Sequence, residues 1–250
     1  MSATVIAVCG KGGVGKTTVS AIIAQALSGM SDRKALLIDA DHAGGLAMAL
    51  GIDVVRTVND VRLDTIGEIK KGETDKRDLA ASIDYMLMEA ATERGNLAFL
   101  PIGRPEEVGC YCAVHTLLRE AIELLADKFD VTVIDAEAGI EQVNRNVLGR
   151  VDQLILVADT SAKAVNVAQT IRDVAREISD LRHVGLLLNR VRSEDEVKRI
   201  MDTTDLKVMG WIPDDDNIRR FDAEQRSFLE LPDCPAVSAV MKALNGIGFM

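Results

Sequence analysis

Aromatic side chains are scarce: one Trp, two Tyr and five Phe make up 3% of the 250 residues, so any core must be aliphatic. Basic charge is also in deficit. The chain carries 29 Lys and Arg against 39 Asp and Glu, a net charge of −10. That balance excludes broad, nonspecific attraction to nucleic acid or to an anionic membrane surface. No stretch approaches the roughly 18 apolar residues of a transmembrane helix. The N-terminus lacks a charged region followed by an apolar signal segment. A cytoplasmic location is therefore expected, with neither membrane nor nucleic acid as partner. Four cysteines in that compartment are thiols or metal ligands rather than a disulfide frame. What the chain has in quantity is hydrophobic residues, at 48%, enough for a substantial core. Its length suits one α/β sheet, so residues 1–250 are expected to form a single domain.

The most informative stretch is Cys9-Gly10-Lys11-Gly12-Gly13-Val14-Gly15-Lys16-Thr17-Thr18. From Gly10 to Thr17 it satisfies the phosphate-loop pattern of glycine, four residues, glycine, lysine and Ser/Thr. Thr4 to Val8 ahead of it is a β-branched apolar run that reads as a buried strand. Behind it, Val19, Ile22, Ile23, Ala26 and Leu27 fall at helical spacing. Strand, loop and helix are the context the motif requires. Glycines let the backbone approach a ligand closely, so that successive N–H groups, from Gly12 through Thr18, converge on phosphate oxygens. The helix start adds partial positive charge. Lys16 is expected on the β- and γ-phosphates, and the Thr17 hydroxyl on Mg²⁺. ATP and Mg²⁺ are thus the expected ligands.

Lys11, a second lysine directly after the first glycine, makes the loop KGGVGKT. It resembles the deviant Walker A signature of the ATPase family that includes the nitrogenase iron protein, the Min and Par positioning ATPases and several metal-insertion ATPases. The resemblance implies a doubly wound, mostly parallel α/β sheet flanked by helices. It also implies a homodimer with ATP between the subunits, in which Lys11 crosses to the partner's nucleotide and acts in catalysis with Lys16. The plainer reading of Lys11 is an exposed loop lysine.

Ala35 to Ile38 reads as a second buried strand, ending in Asp39-Ala40-Asp41-His42. Strand carboxyl ends face the ligand in open α/β sheets. The segment resembles the family's switch I, with His42 in place of the usual proline. By that resemblance Asp41 positions the attacking water and joins Thr17 and Asp135 around Mg²⁺; alternatively, it caps a helix starting near Leu46. Residues 52 to 95 are polar and alternate in charge, a pattern of solvated helices and loops. Strands are expected at 96–101, 131–135, 153–158 and 183–188. Ala164, Ala168, Ile171, Ala175 and Ile178 mark an amphipathic helix between the last two. Asn189-Arg190 resembles the family's adenine-reading position. Gly210 to Asp214, with Pro213, resembles a second adenine contact. A strand-end turn is the alternative for Asn189.

Cys110 and Cys112 lie at or just before a helix whose apolar face is Val114, Leu117, Leu118, Ala121, Ile122 and Leu125. A helix N-terminus favours thiolates. In extended backbone, residues two apart point to one side about 6.6 Å apart. Two thiolates half-coordinate a soft tetrahedral metal, and a twofold dimer would supply four. Buried structural thiols are the competing reading. Gly109-Cys110-Tyr111-Cys112, with Ala138-Gly139-Ile140-Glu141 after Asp135, resembles the CooC-type nickel-insertion ATPases. This implies Ni²⁺ (or Zn²⁺) held between two subunits by Cys110 and Cys112. The implied client is a nickel carbon monoxide dehydrogenase or acetyl-CoA synthase. In the same comparison Asp135 holds the Mg²⁺ water shell and Gly139 senses the γ-phosphate. His115, a lone histidine at the helix start, is an added nitrogen ligand or a capping or packing residue. The nitrogenase iron protein takes one cluster cysteine from just after switch II. Residues 136–150 contain none, so a cluster-bearing reductase is disfavoured. A Min-type positioning ATPase would need a basic amphipathic C-terminal helix, whereas residues 236–250 carry Lys242 alone. Cys9 and Cys234 read as solitary structural thiols.

Overall fold

Apolar runs too short for helices and too continuous for a half-exposed strand become the inner strands of one sheet. In a computed structural model, which describes residues 3–41, 43–71, 76–103, 120, 122–136, 151–178 and 181–248, β1 spans Thr4–Gly10 and β2 Ala35–Asp39. The others are β3 (Thr92–Arg94), β4 (Leu97–Pro101), β5 (Val131–Asp135), β6 (Gln153–Ala158), β7 (His183–Val191) and β8 (Val208–Pro213). Their order is β3-β4-β2-β5-β1-β6-β7-β8. Every pairing is parallel except that of β3 with β4. All residues of β2, β4, β5 and β6 are buried, so both faces of the sheet are covered, as parallel sheets require. This is the doubly wound α/β architecture expected.

Helices α1 (Lys16–Ser28), α2 (Gly45–Leu50), α3 (Val58–Lys71) and α4 (Lys76–Ala90) precede β3. After β6 come α5 (Ala162–Ile178), α6 (Glu194–Thr203), α7 (Asp216–Ala223), a 3₁₀ turn at Phe228–Glu230 and α8 (Pro235–Asn245). Most residues of the predicted stripes are buried, with Ala26 half-buried. Val19, Ile22, Ile23 and Leu27 of α1, and Ala164, Ala168, Ile171 and Ala175 of α5, have no exposed surface. Helix α1 contacts α2, the 3₁₀ turn, α8 and strands β1, β4 and β5, while α5 lies on β6 and β1. The Asn96 amide spreads over the Leu27, Met30 and Arg33 carbonyls at 2.8–2.9 Å, closing the C-terminal end of α1 against the start of β4. Pro235 opens α8 at a position where a missing N–H costs nothing. Its Ala236, Val237, Val240, Ala243 and Leu244 are buried, so the apolar side of the C-terminal helix is occupied by the core. Among the described residues no helix is long and apolar enough to cross a membrane.

Two details depart from the sequence reading. The stretch placed wholly in helices and loops ends in β3, a three-residue antiparallel edge strand. Its Thr-Glu-Arg sequence carries no apolar alternation, and short polar edges are how sheets avoid pairing with other chains. Strand β7 runs on to Val191, so Asn189 and Arg190 lie within the strand instead of in a turn after it.

The topology fixes the site. Chain order reverses at β1, which lies between β5 and β6. Ligands of open α/β sheets bind at the carboxyl edge beside such a reversal. Because β5 is inserted between β1 and β2, Asp135 lies level with Val8 on one side and with Asp39 on the other.

Candidate functional site

Gly10 ends β1 and Lys16 begins α1, so the sequence motif forms the loop at the sheet's central carboxyl edge. Gly15 is the helix N-cap residue, with φ 95° and no side chain to cap with. The first N–H groups of α1 therefore receive no side-chain cap and remain available to an anion. A Cβ on Gly10 would lie 2.2 Å from the Val157 carbonyl oxygen, so only glycine lets the loop leave β1 past β6. Val14 anchors the loop apolarly at 1% exposure, and Lys16 is buried. Gly12 and Gly13 are exposed and Lys11 half-buried.

Three groups close around the start of α1. The Thr17 hydroxyl donates to Asp135 Oδ2 at 2.7 Å, and the Ser20 hydroxyl donates to Asp135 Oδ1 at 3.0 Å. Ser20 escaped the sequence reading. Its signal is its place one helical turn after Thr17, on the same face. Asp135 has no exposed surface, and that burial pushes its carboxyl up from 3.8 to about 6. The hydrogen bonds from Thr17 and Ser20 and the charge of Lys16 hold the rise back, while Asp39 adds to it.

Asp39 is the second carboxylate. Its Oδ2 accepts from the Leu46 and Ala47 N–H groups at 3.0 and 3.2 Å, and its Oδ1 accepts from the Asp41 N–H at 3.2 Å. Burial raises its pKa, partly offset by these backbone donors. Helix α2 is thus capped by Asp39. Asp41, the alternative candidate for that cap, instead accepts from the Ala43 N–H at 2.9 Å in its own turn and is half-buried.

On the far side, the Asn189 amide donates to the Val14 carbonyl at 2.8 Å, and Arg190 Nη1 donates to the Gly13 carbonyl at 3.2 Å. Pro213 pairs with Val191 at the same edge. Asn189 and Arg190 therefore meet the loop at Val14 and Gly13, and Pro213 lies beside Val191 on the neighbouring strand. Asp159, just past β6, was not singled out by its sequence. Burial raises its carboxyl, but hydrogen bonds with Ser161 and the charges of Lys11 and Arg190 outweigh this and leave it below the usual range.

Cys9 and Cys234 are free and buried. Burial pushes the Cys9 thiol up to about 12, against the charge of Lys16, so it holds its proton beside the loop. Among the described residues no three His, Cys, Asp or Glu gather as a metal site. Cys110, Cys112, His115, His42 and Gly139 lie outside the described residues.

Residues 5–228 match the family described as the CobQ/CobB/MinD/ParA nucleotide binding domain. An uncharacterized ATP-binding protein of Methanocaldococcus jannaschii is 32% identical over 235 residues, 92% of each chain. The carbon monoxide dehydrogenase accessory protein CooC of Rhodospirillum rubrum is 29% identical over 252 residues, covering 96% of this chain and 95% of that one. Among solved structures, a chain of the Aquifex aeolicus MinC:MinD cell division protein complex superposes with a TM-score of 0.74 at 23% identity, covering 99% of this chain and 96% of that one.

Proposed function

The chain belongs to the CobQ/CobB/MinD/ParA nucleotide binding domain family and is an ATP-binding ATPase, and from that premise we propose that it is an ATP-dependent nickel-delivery protein. In this reading residues 1–250 act as one ATPase unit in the cytoplasm. Two copies bind Ni²⁺ (or Zn²⁺) as cargo through Cys110 and Cys112, and nucleotide state controls the transfer to a nickel carbon monoxide dehydrogenase. The observation that carries it is the Cys-Tyr-Cys segment, in a chain alignable with CooC over nearly its full length. Four thiolates, two from each copy, complete the tetrahedral set a soft metal prefers.

The described residues divide the hydrolytic work. The loop N–H groups and the start of α1 hold the phosphates, and buried Lys16 places a positive charge within the loop where charge develops on transfer. A hydroxyl and two carboxylates, Thr17, Asp135 and Asp41, are the hard oxygen ligands that suit Mg²⁺ directly or through water. Mg²⁺ bound there supplies charge neutralisation of the phosphate oxygens. Asp41 orients the attacking water and takes its proton as the bond between the γ-phosphorus and the bridging oxygen breaks, leaving ADP and phosphate. Asp39 connects this edge to α2 through its cap, so a rearrangement around the nucleotide reaches switch I directly.

Asp41→Asn keeps the shape and the acceptor for Ala43 but removes the base. MgATP affinity is expected to change by less than about threefold, while phosphate release falls by about 10²–10⁴-fold, the usual contribution of a positioned base. Equal losses in binding and turnover would remove Asp41 from this role.

Nickel delivery is tested by anaerobic Ni²⁺ titration, recording dimer mass and thiolate-to-metal absorption together. Wild type is expected to take one metal per dimer. Cys110→Ala/Cys112→Ala should lose that metal and its absorption while binding ATP as before. Unchanged metal binding in the double variant would sink the proposal and leave the ATPase intact. The Min-type alternative shares the fold and the ATP site, but the apolar residues it would offer a membrane from α8 are buried. ATP-dependent sedimentation with anionic liposomes would favour it.

A further inference from the structure

We infer that Arg190 is a positioning residue for the phosphate loop, acting on the loop backbone and not on the base of the nucleotide. The inference rests on the ATP site alone and is independent of the metal reading.

Leu188 pairs with Trp211 and Val191 with Pro213, so three steps along β7 match two along β8. One extra residue is accommodated in β7, as in a β-bulge, and bulges re-aim side chains beside functional sites. Arg190 has φ 57°; among the described residues only Gln225 shares a positive φ without being glycine. A left-handed backbone is disfavoured for a long side chain, so the surroundings must hold it. They do: the Arg190 N–H donates to the Asn189 Oδ1 at 2.9 Å.

The bulge delivers two adjacent side chains to two adjacent carbonyls. Asn189 Nδ2 reaches Val14 O at 2.8 Å and Arg190 Nη1 reaches Gly13 O at 3.2 Å. Each carbonyl shares a peptide plane with the N–H of the next residue, Gly15 and Val14 respectively. A donor on the oxygen fixes that plane and polarises it, so the N–H on its other side becomes a stronger donor. The guanidinium charge enlarges the effect at Gly13. Gly13 itself is exposed with φ 82°, and beyond its chain neighbours no atom lies within 4 Å of where a Cβ would be. Buried Val14 anchors the peptide on one side, and the Arg190 hydrogen bond holds its carbonyl on the other.

Two ligands distinguish the two roles. A residue that reads adenine is indifferent to a ligand without adenine, whereas one that orients loop N–H groups affects every ligand with a phosphate chain. Wild type, Arg190→Ala and Arg190→Lys are compared for binding of MgATP and of magnesium tripolyphosphate, the latter by displacement of a fluorescent ATP analogue. Nucleotide-free melting is recorded for each. Arg190→Ala is expected to weaken both ligands by the same factor, about three- to tenfold, the net scale of one exposed hydrogen bond. Arg190→Lys, which retains a cationic donor, is expected to restore part of that loss, with melting unchanged throughout. Loss of ATP affinity with tripolyphosphate unaffected would overturn the proposal in favour of base reading. No change in either ligand would also overturn it. So would a fall in melting temperature that tracks the fall in affinity and is not restored by Arg190→Lys.

Discussion

Asp135→Asn is expected to raise the melting temperature of the nucleotide-free protein at any pH well above 6 and, in the same molecule, to cut ATP hydrolysis by at least about a hundredfold. The stability gain follows from burial. Asp135 titrates at about 6 in the fold and near 3.8 as an ordinary carboxyl, because it is fully desolvated. A raised carboxyl pKa means that the folded state binds more protons than the unfolded state between those values, so stability falls as pH rises from about 4 to about 6 and then levels. Each tenfold weakening of an acid is worth about 1.4 kcal/mol, so the ionised group costs the apo fold on the order of 2–3 kcal/mol at neutral pH. Asparagine removes that cost. Its carbonyl can still accept from Thr17, and its amide can donate to Ser20 once the hydroxyl turns. The expected rise in melting temperature is roughly 5 °C for a chain of this size, and the slope between pH 4 and 6 should flatten. The loss of turnover follows from the same charge: a neutral amide is a poor outer ligand for Mg²⁺, and several kcal/mol of metal-derived charge stabilisation go with it. Thermal melts across pH, with and without MgATP, and phosphate-release rates check both halves. An unchanged apo melting temperature above pH 6 would mean that Asp135 is not desolvated as its position implies.

That trade explains why the polar centre of the site was easier to read from the sequence than its supports. Lys16, Thr17, Asp41 and Asp135 sit in motifs whose spacing is dictated by phosphate and Mg²⁺ chemistry, and strands β1, β2, β5 and β6 announce themselves as continuous apolar runs. The supporting contacts are nonlocal. Ser20 meets Asp135 across 115 residues, and Asn189 meets Val14 across 175. Neither pairing leaves a periodic trace in the sequence. Asp39 shows the limit from the other side: two aspartates flank Ala40, and helix capping favours an acid at either. In the fold Asp39 ends β2 level with Asp135 and caps α2, while Asp41 serves its own turn. Likewise the bulge in β7 depends on its pairing with β8 and not on the identity of Arg190, whose type is unremarkable for a strand end.

The two loop glycines, Gly13 and Gly15, should respond very differently to alanine. At Gly13 the left-handed φ of 82° costs roughly 1–2 kcal/mol for an L-residue, but no atom lies within 4 Å of the added methyl. At Gly15 the φ of 95° carries a similar penalty, and the methyl falls 2.2 Å from Asn189 Nδ2 and 3.5 Å from its Cγ. A surface amide would swing away. Asn189 is 5% exposed, donates to Val14 and accepts from Arg190, so moving it strips two hydrogen bonds from a buried side chain and releases the loop from β7. Leaving such groups unpaired costs about 1–3 kcal/mol each, and the N-terminus of α1 is displaced from the phosphates at the same time. Gly15→Ala is therefore expected to lose at least about a hundredfold in MgATP affinity, where Gly13→Ala loses about tenfold or less, the ratio that 1–3 kcal/mol of additional cost produces. Equilibrium MgATP binding to the two variants, beside their nucleotide-free melts, measures the difference. If Gly15→Ala bound ATP as well as Gly13→Ala, the loop would not be held from β7, and Asn189 would be free to act on the base alone.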